Sequence, residues 1–210
     1  MPDGTPLPIG VLVSGGGTNL QALIDHVHGR EAELVGVASN VPDAPALERA
    51  RVAGVPVATF ELAADAGAAD RTARDQRIAD WLQERGAQLV VLAGYMALVD
   101  GEFLDRFPDA VINVHPSLLP AFPGLHAIEQ ALEAGVKVFG VTVHFVDRGV
   151  DSGPVILQRA LELSDPGDPD AVLAALRPLE HSLITDAVRL FARGALRRDP
   201  LNARRVLIDG

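Results

Sequence analysis

Short apolar runs alternate with helix-period segments through the first two-thirds of the chain. Runs at Ile9 to Val13, Glu33 to Ala38, Val57 to Phe60, Leu89 to Ala93 and Val111 to Val114 have strand length and are rich in Val, Ile and Leu. Such near-continuous apolar content suits strands covered on both faces, as in a parallel sheet. Between them, Asn19 to His28, Ala46 to Ala53 and Arg71 to Arg85 read as helices, the last with Ile78, Trp81 and Leu82 on one stripe. Gly29, Gly54 and Gly86 follow as helix stops. The rhythm is that of repeated βαβ units.

After residue 135 the pattern changes. Val138 to Val146 and Val155 to Leu163 read as two long strands separated by a turn with Gly149 and Gly153, an antiparallel extension of the sheet. A last helix from about Asp170 to Arg193 carries Val172, Leu176, Leu179, Leu183, Ala187 and Leu190 at spacings of three and four. Pro178 inside it is expected to kink or break it. With no internal repeat and no low-complexity linker, residues 1–210 are expected to form one α/β domain.

Composition narrows the chemistry. The chain of 210 residues has no cysteine, which excludes disulfides, thiolate metal sites, iron–sulfur clusters and a cysteine nucleophile. Lys and Arg number 18 against 28 Asp and Glu, a net charge of −10, so a nucleic-acid partner is not expected. The six histidines show no paired metal-ligand spacing, and no metal is expected. Met1 to Pro8 is not a signal sequence, and no run approaches the ~20 apolar residues of a membrane helix. A cytoplasmic protein acting on small molecules is expected.

Three segments carry candidate chemistry. Ser14-Gly15-Gly16-Gly17-Thr18-Asn19 follows the first strand and opens the first helix, where backbone N–H groups favour an anion such as phosphate. It is neither a dinucleotide fingerprint nor a Walker loop. A plain tight turn with Thr18 as N-cap explains the same residues. The second segment, Asn113-Val114-His115-Pro116, ends the fifth strand, and ligands bind at the carboxyl ends of strands in open α/β sheets. Asn113 and His115 alternate, so both side chains can point one way and offer two donors to an oxyanion. A histidine merely hydrogen-bonded at a strand end fits equally. The third, Asp147 to Pro154, is a turn-rich loop whose aspartates serve conformation or, if the loop folds over His115, favour the charged ring. His26 and His28 read as solvated helix residues, and His144 as a satisfied half-buried residue within an apolar strand.

Together with Leu92-Ala93-Gly94-Tyr95-Met96, Pro123-Gly124-Leu125-His126 and Asp151-Ser152-Gly153-Pro154-Val155-Ile156, these segments resemble the phosphoribosylglycinamide formyltransferases nearly from end to end. The resemblance implies the formyltransferase fold: a Rossmann-like, mostly parallel twisted sheet with helices on both faces and an antiparallel C-terminal extension. It implies a phosphoribosyl-substrate half of about 1–100 and a catalytic, folate-binding half of about 101–210. The implied activity is formyl transfer from 10-formyltetrahydrofolate, a co-substrate, to N1-(5-phospho-D-ribosyl)glycinamide in purine biosynthesis, by a monomer or homodimer.

By the same resemblance Asn113, His115 and Asp151 are the catalytic trio. Gly17, Thr18, Asn19, Arg177, Pro178, Leu179 and Glu180 would bind the ribonucleotide, with Glu180 a partner for its glycyl amine. Arg71, Met96, Ala97, Leu98, Val99, Asn113, Asp147, Arg148, Gly149, Val150 and Asp151 would form the folate side. Two positions depart from the pattern. Ala97 stands where many members carry a basic residue, and Pro178 removes an N–H donor from the substrate stretch. Methionyl-tRNA formyltransferase and formyltetrahydrofolate hydrolase share the Asn-x-His core. The former needs an extra C-terminal domain and a basic surface. The latter has an N-terminal regulatory domain and a second His, where this chain has Pro116. A non-catalytic phosphate-binding module explains the glycine turn alone.

Overall fold

Strand β1 (Leu7–Val13) is buried along nearly its whole length and hydrogen-bonded on both sides, which is why its sequence lacks a polar alternation. The computed structural model describes residues 4–209, and the chain divides into two units, residues 1–112 and 113–210. In the first unit the order of elements is β1, α1 (Thr18–His26), β2 (Ala32–Ser39), α2 (Pro45–Val52), β3 (Val57–Thr59), α3 (Ala68–Gln83), β4 (Leu89–Leu92) and α4 (Gly101–Arg106). Strand order is β3-β2-β1-β4, all parallel. The chain winds outward from β1 to β3 and then returns to the other side of β1. That reversal makes the carboxyl ends of β1 and β4 a topological switch point, the place where open α/β sheets bind ligands.

Strand β5 (Val111–His115) crosses the junction of the units. The second unit continues with α5 (Ala127–Glu133), β6 (Val138–Phe145), β7 (Val155–Glu162), α6 (Pro169–Ala192), β8 (Leu196–Asp199) and β9 (Asn202–Ile208). β6 and β7 pair antiparallel, as do β8 and β9, while β7 meets β9 in parallel at Val155 and Arg205. The antiparallel C-terminal strands are therefore present, and the β8–β9 hairpin adds two that the sequence pattern did not reveal.

Two sequence expectations are corrected. α6 is continuous through Pro178 rather than broken there. The N–H missing at Pro178 would have bonded to the Ala174 carbonyl, and both residues lie on the exposed face, where the freed carbonyl is open to solvent. Asp168 caps this helix by accepting the Ala171 N–H at 2.9 Å. Its buried stripe runs Val172, Leu176, Glu180, Leu183, Ile184 and Ala187, so Glu180 lies on the core side while Leu179 and Leu190 are only half-buried. His28 is not in α1. It follows the helix end, and its Nδ1 accepts the Leu34 N–H at 3.1 Å, so it joins the start of β2. Among the described residues, no helix is long and apolar enough to cross a membrane.

Candidate active site

The glycine turn after β1 is held from below by α2. Ala46 N donates to Gly15 O at 3.1 Å and Arg49 Nε to Gly16 O at 2.8 Å. Gly17, not Thr18, is the N-cap of α1, with φ 73° and ψ 33° and no side-chain cap. A Cβ at Gly17 would sit 2.6 Å from the Ala46 Cβ, so left-handed backbone and close approach both demand glycine. The first helical bond is Gln21 N to Gly17 O at 2.9 Å, which leaves the N–H groups of Thr18, Asn19 and Leu20 without intrahelical carbonyls. Beside them Asn19 Oδ1 is buried and accepts no hydrogen bond. The turn thus offers donors and a positive helix end to an anion, with one acceptor next to them.

The loop after β4 is tied to this turn. Ser14 N donates to Gly94 O at 3.0 Å, Met96 N to Ser14 Oγ at 2.8 Å, and Ser14 Oγ to Asn40 Oδ1 at 2.5 Å. Met96 and Leu98 stand exposed on it, at 67% and 72%. Of the charged residues of α3, Arg71 is exposed in the first turn, whereas Arg74 and Asp75 are buried. Sequence reasoning passed over both, because a charged helical segment ordinarily reads as a solvated face.

In the second unit β5 places Asn113 and His115 on one side of the strand, as their alternation requires. His115 is buried, with Nδ1 3.4 Å from Asp151 Oδ2 and Nε2 2.9 Å from the Phe122 carbonyl oxygen. Both ring nitrogens face acceptors, and only the imidazolium has a hydrogen for each. Asp151 Oδ2 also accepts the Gly124 N–H at 2.8 Å, and Oδ1 accepts Asn113 Nδ2–H at 3.3 Å. Burial alone would raise the Asp151 carboxyl, but hydrogen bonds from His144 and Gly124 and the positive rings beside it hold it below the ordinary value.

His144 belongs to this network, against the expectation of a half-buried bystander. It is 1% exposed, and its Nε2 lies 3.2 Å from Asn113 Nδ2 and 3.5 Å from Asp151 Oδ1. Its Nδ1 donates to the Phe145 carbonyl oxygen at 2.8 Å, and its Nε2 is directed at the Asn113 amide and the Asp151 carboxylate together. The register of β6 against β7 shifts between Val143 and His144. Such a bulge re-aims a side chain, and nothing in an apolar strand sequence marks it.

The Asp151 loop is shaped internally. Asp147 Oδ1 accepts the Gly149 N–H at 3.0 Å and the Ser152 hydroxyl at 2.7 Å, while Arg148 and Val150 are exposed. A Cβ on Gly153 would lie 1.7 Å from the Phe145 oxygen, so only glycine lets the loop return to β7. On α6, Arg177 and Pro178 are exposed, Leu179 is half-buried and Glu180 is 7% exposed. His126 is exposed at the start of α5, with Nδ1 3.4 Å from Glu129 Oε1.

A parallel sheet with a switch point, followed by an Asn-x-His strand end set against a half-buried aspartate, defines a class. The chain belongs to the formyl transferase family, whose model matches residues 8–188. It is similar to the phosphoribosylglycinamide formyltransferase of Haemophilus influenzae, 38% identical over 191 residues, which is 90% of this chain and 89% of that protein. The crystal structure of glycinamide ribonucleotide transformylase 1 from Symbiobacterium toebii matches with a TM-score of 0.91 at 47% identity, covering 98% of this chain and 95% of that one. A formyltetrahydrofolate deformylase from Pseudomonas syringae pv. tomato matches with a TM-score of 0.88 over 98% of this chain and 67% of that one. At 21% identity that likeness shows the fold alone.

Proposed function

We propose that this chain transfers the formyl group of 10-formyltetrahydrofolate to the amine of N1-(5-phospho-D-ribosyl)glycinamide, giving the N2-formyl product and tetrahydrofolate in purine biosynthesis. Family membership and the named activity of its relatives support the reaction. The observation that carries the mechanism is His115 held between the Asp151 carboxylate and the Phe122 carbonyl, with the Asn113 amide beside it.

The substrate amine attacks the formyl carbon, and the formyl oxygen takes up negative charge. Asn113 N–H and the His115 imidazolium then stabilise that oxyanion. Within the chain these hydrogens are directed at His144, Asp151 and the Phe122 oxygen, and the formyl oxygen takes them over as its charge grows. Asp151 keeps His115 charged and orients a water that carries the proton lost by the amine to the departing folate nitrogen. The C–N bond to the amine forms and the C–N bond to the folate breaks, so no oxidant or metal is required.

In this reading the N–H groups at Gly17, Thr18 and Asn19 receive the ribonucleotide's phosphate, and the unpartnered Asn19 Oδ1 accepts from a donor of the same ligand. Glu180, with Arg177, Pro178 and Leu179, serves the glycyl amine end. Pro178 has no N–H to offer. Arg71, Met96, Ala97, Leu98, Val99 and Asp147 to Asp151 serve the folate.

Turnover of 10-formyltetrahydrofolate with and without the ribonucleotide tests the reading. Folate release that requires the ribonucleotide and yields formylated product is the expected result. Equal consumption without it would make the chain a hydrolase and remove the basis for the assignments at Gly17 to Asn19 and Arg177 to Glu180.

A further inference from the structure

We propose that Arg74 and Asp75 are positioning residues for the folate, acting together as a brace that fixes the backbone of the 96–100 loop. This inference rests on the reading of that loop as part of the folate side. The pair is adjacent on α3, and both members are buried, at 4% and 1% exposure. Arg74 Nη2 lies 2.7 Å and Nε 2.8 Å from Asp75 Oδ1. From this anchored position Arg74 Nη2 donates to the Leu98 carbonyl at 3.1 Å, and Asp75 Oδ2 accepts the Asp100 N–H at 2.9 Å. Asp100 in turn accepts the Phe103 N–H at 2.7 Å and starts α4.

Two backbone groups, two residues apart, are therefore pulled inward by one ion pair, and the intervening Val99 is fixed by both. The outer side of the loop is left to Met96 and Leu98, two apolar side chains at the switch-point end of β4, suited to a flat heteroaromatic ring. Ala97 brings no charge of its own, so the cation that serves this loop comes from the helix beneath it. The guanidinium also lies 6.0 Å from the centroid of the buried Tyr95 ring, at the start of the same loop.

A buried ion pair is a poor source of net stability, because desolvation of both charges offsets their attraction. Burial pushes the Asp75 carboxyl up even though Arg74 and the Asp100 N–H pull it down, so the ion's presence there is a cost. Its return is geometric. A fork of fixed donors holds a carbonyl in one place better than apolar packing does.

The test compares Arg74→Met/Asp75→Asn with Arg74→Gln/Asp75→Asn. In both, the asparagine placed at position 75 can still accept from Asp100 N–H and no unpaired charge is buried, but only the glutamine can donate to Leu98 O. The methionine form is expected to raise KM for 10-formyltetrahydrofolate at least tenfold, with kcat and KM for the ribonucleotide within threefold of wild type. The glutamine form is expected to recover folate KM to within threefold. Arg74→Lys, which keeps the charge against Asp75, covers the case in which the double variants fail to fold, and a three- to tenfold rise in folate KM is expected. Folate KM within twofold of wild type in the methionine form, or no recovery with glutamine, overturns the brace. So does an unchanged folate KM in Arg74→Lys. If the wild type itself does not formylate the ribonucleotide, the functional reading falls first. Wild-type turnover with unaltered variants sinks the brace alone.

Discussion

Asp151→Asn is the sharpest probe of the reaction, because it removes the charge at nearly constant shape. The wild-type carboxylate serves Gly124 N–H, Asn113 Nδ2–H, His115 and His144, all within 3.5 Å. Asparagine can keep the Gly124 bond through its oxygen. That oxygen stands where Oδ2 does and still faces His115 Nδ1, but as a neutral amide oxygen, while the amide nitrogen takes the place of Oδ1 beside Asn113 Nδ2 and His144 Nε2. The anion that supports an imidazolium at His115 is gone, and a donor now faces the Asn113 amide. Losing proton-transfer assistance of this kind costs roughly 10² to 10⁴ in rate, or about 2.7 to 5.5 kcal/mol at 1.36 kcal/mol per decade. The same substitution has a stability signature. Because the folded-state carboxyl is held below its ordinary value, its contribution is present above that value and is lost as pH falls through the folded one. The wild type should exceed the variant by on the order of 1 to 3 kcal/mol near pH 7, narrowing below about pH 4. Initial rates of formylated product between pH 5 and 9, and urea unfolding at pH 7 and 3.5, measure both. Rates within tenfold of wild type across that range would refute the role of Asp151, and a stability gap that widens in acid would refute the sign.

Asn113→Ala removes one oxyanion donor and should lower kcat by roughly 10² to 10³, and steady-state activity within a few-fold of wild type excludes that role. Gly17→Ala forces a Cβ against Ala46 at φ 73°, so it should raise KM for the ribonucleotide at least tenfold while the folate KM stays near wild type. An unchanged ribonucleotide KM would detach the glycine turn from phosphate binding. Gly153→Ala drives a methyl into the Phe145 carbonyl and should destabilise the fold by on the order of 3 kcal/mol, read as a lowered midpoint of urea unfolding.

What was legible in the sequence follows from where the information resides. Strands β1, β2, β4, β5 and β6 stood out because a strand covered on both faces needs a continuous apolar run, and helices such as α3 and α6 because one stripe must be apolar. β8 and β9 did not, since four arginines interrupt the apolar residues of Leu196 to Ile208, as suits a hairpin left largely exposed. α4 and α5 are six and seven residues long, too short to display a period.

The site divides in the same manner. Asn113 and His115 were found because their alternation on one strand is a sequence fact, and Asp151 because its loop carries turn residues beside a strand end. His144 escaped because its approach to Asn113 depends on a bulge, a shift of register that leaves the apolar strand pattern intact. Arg74 and Asp75 escaped for a deeper reason. Their partners are the carbonyl of Leu98 and the amide of Asp100, and backbone groups are the same in every sequence. A side chain that recognises another side chain can leave a motif. One that recognises backbone leaves only a charge where burial would forbid it, and burial is known only after folding. The residues that hold a site in shape are for this reason harder to read than those that react in it, and buried charged pairs beneath loops are where to look for them.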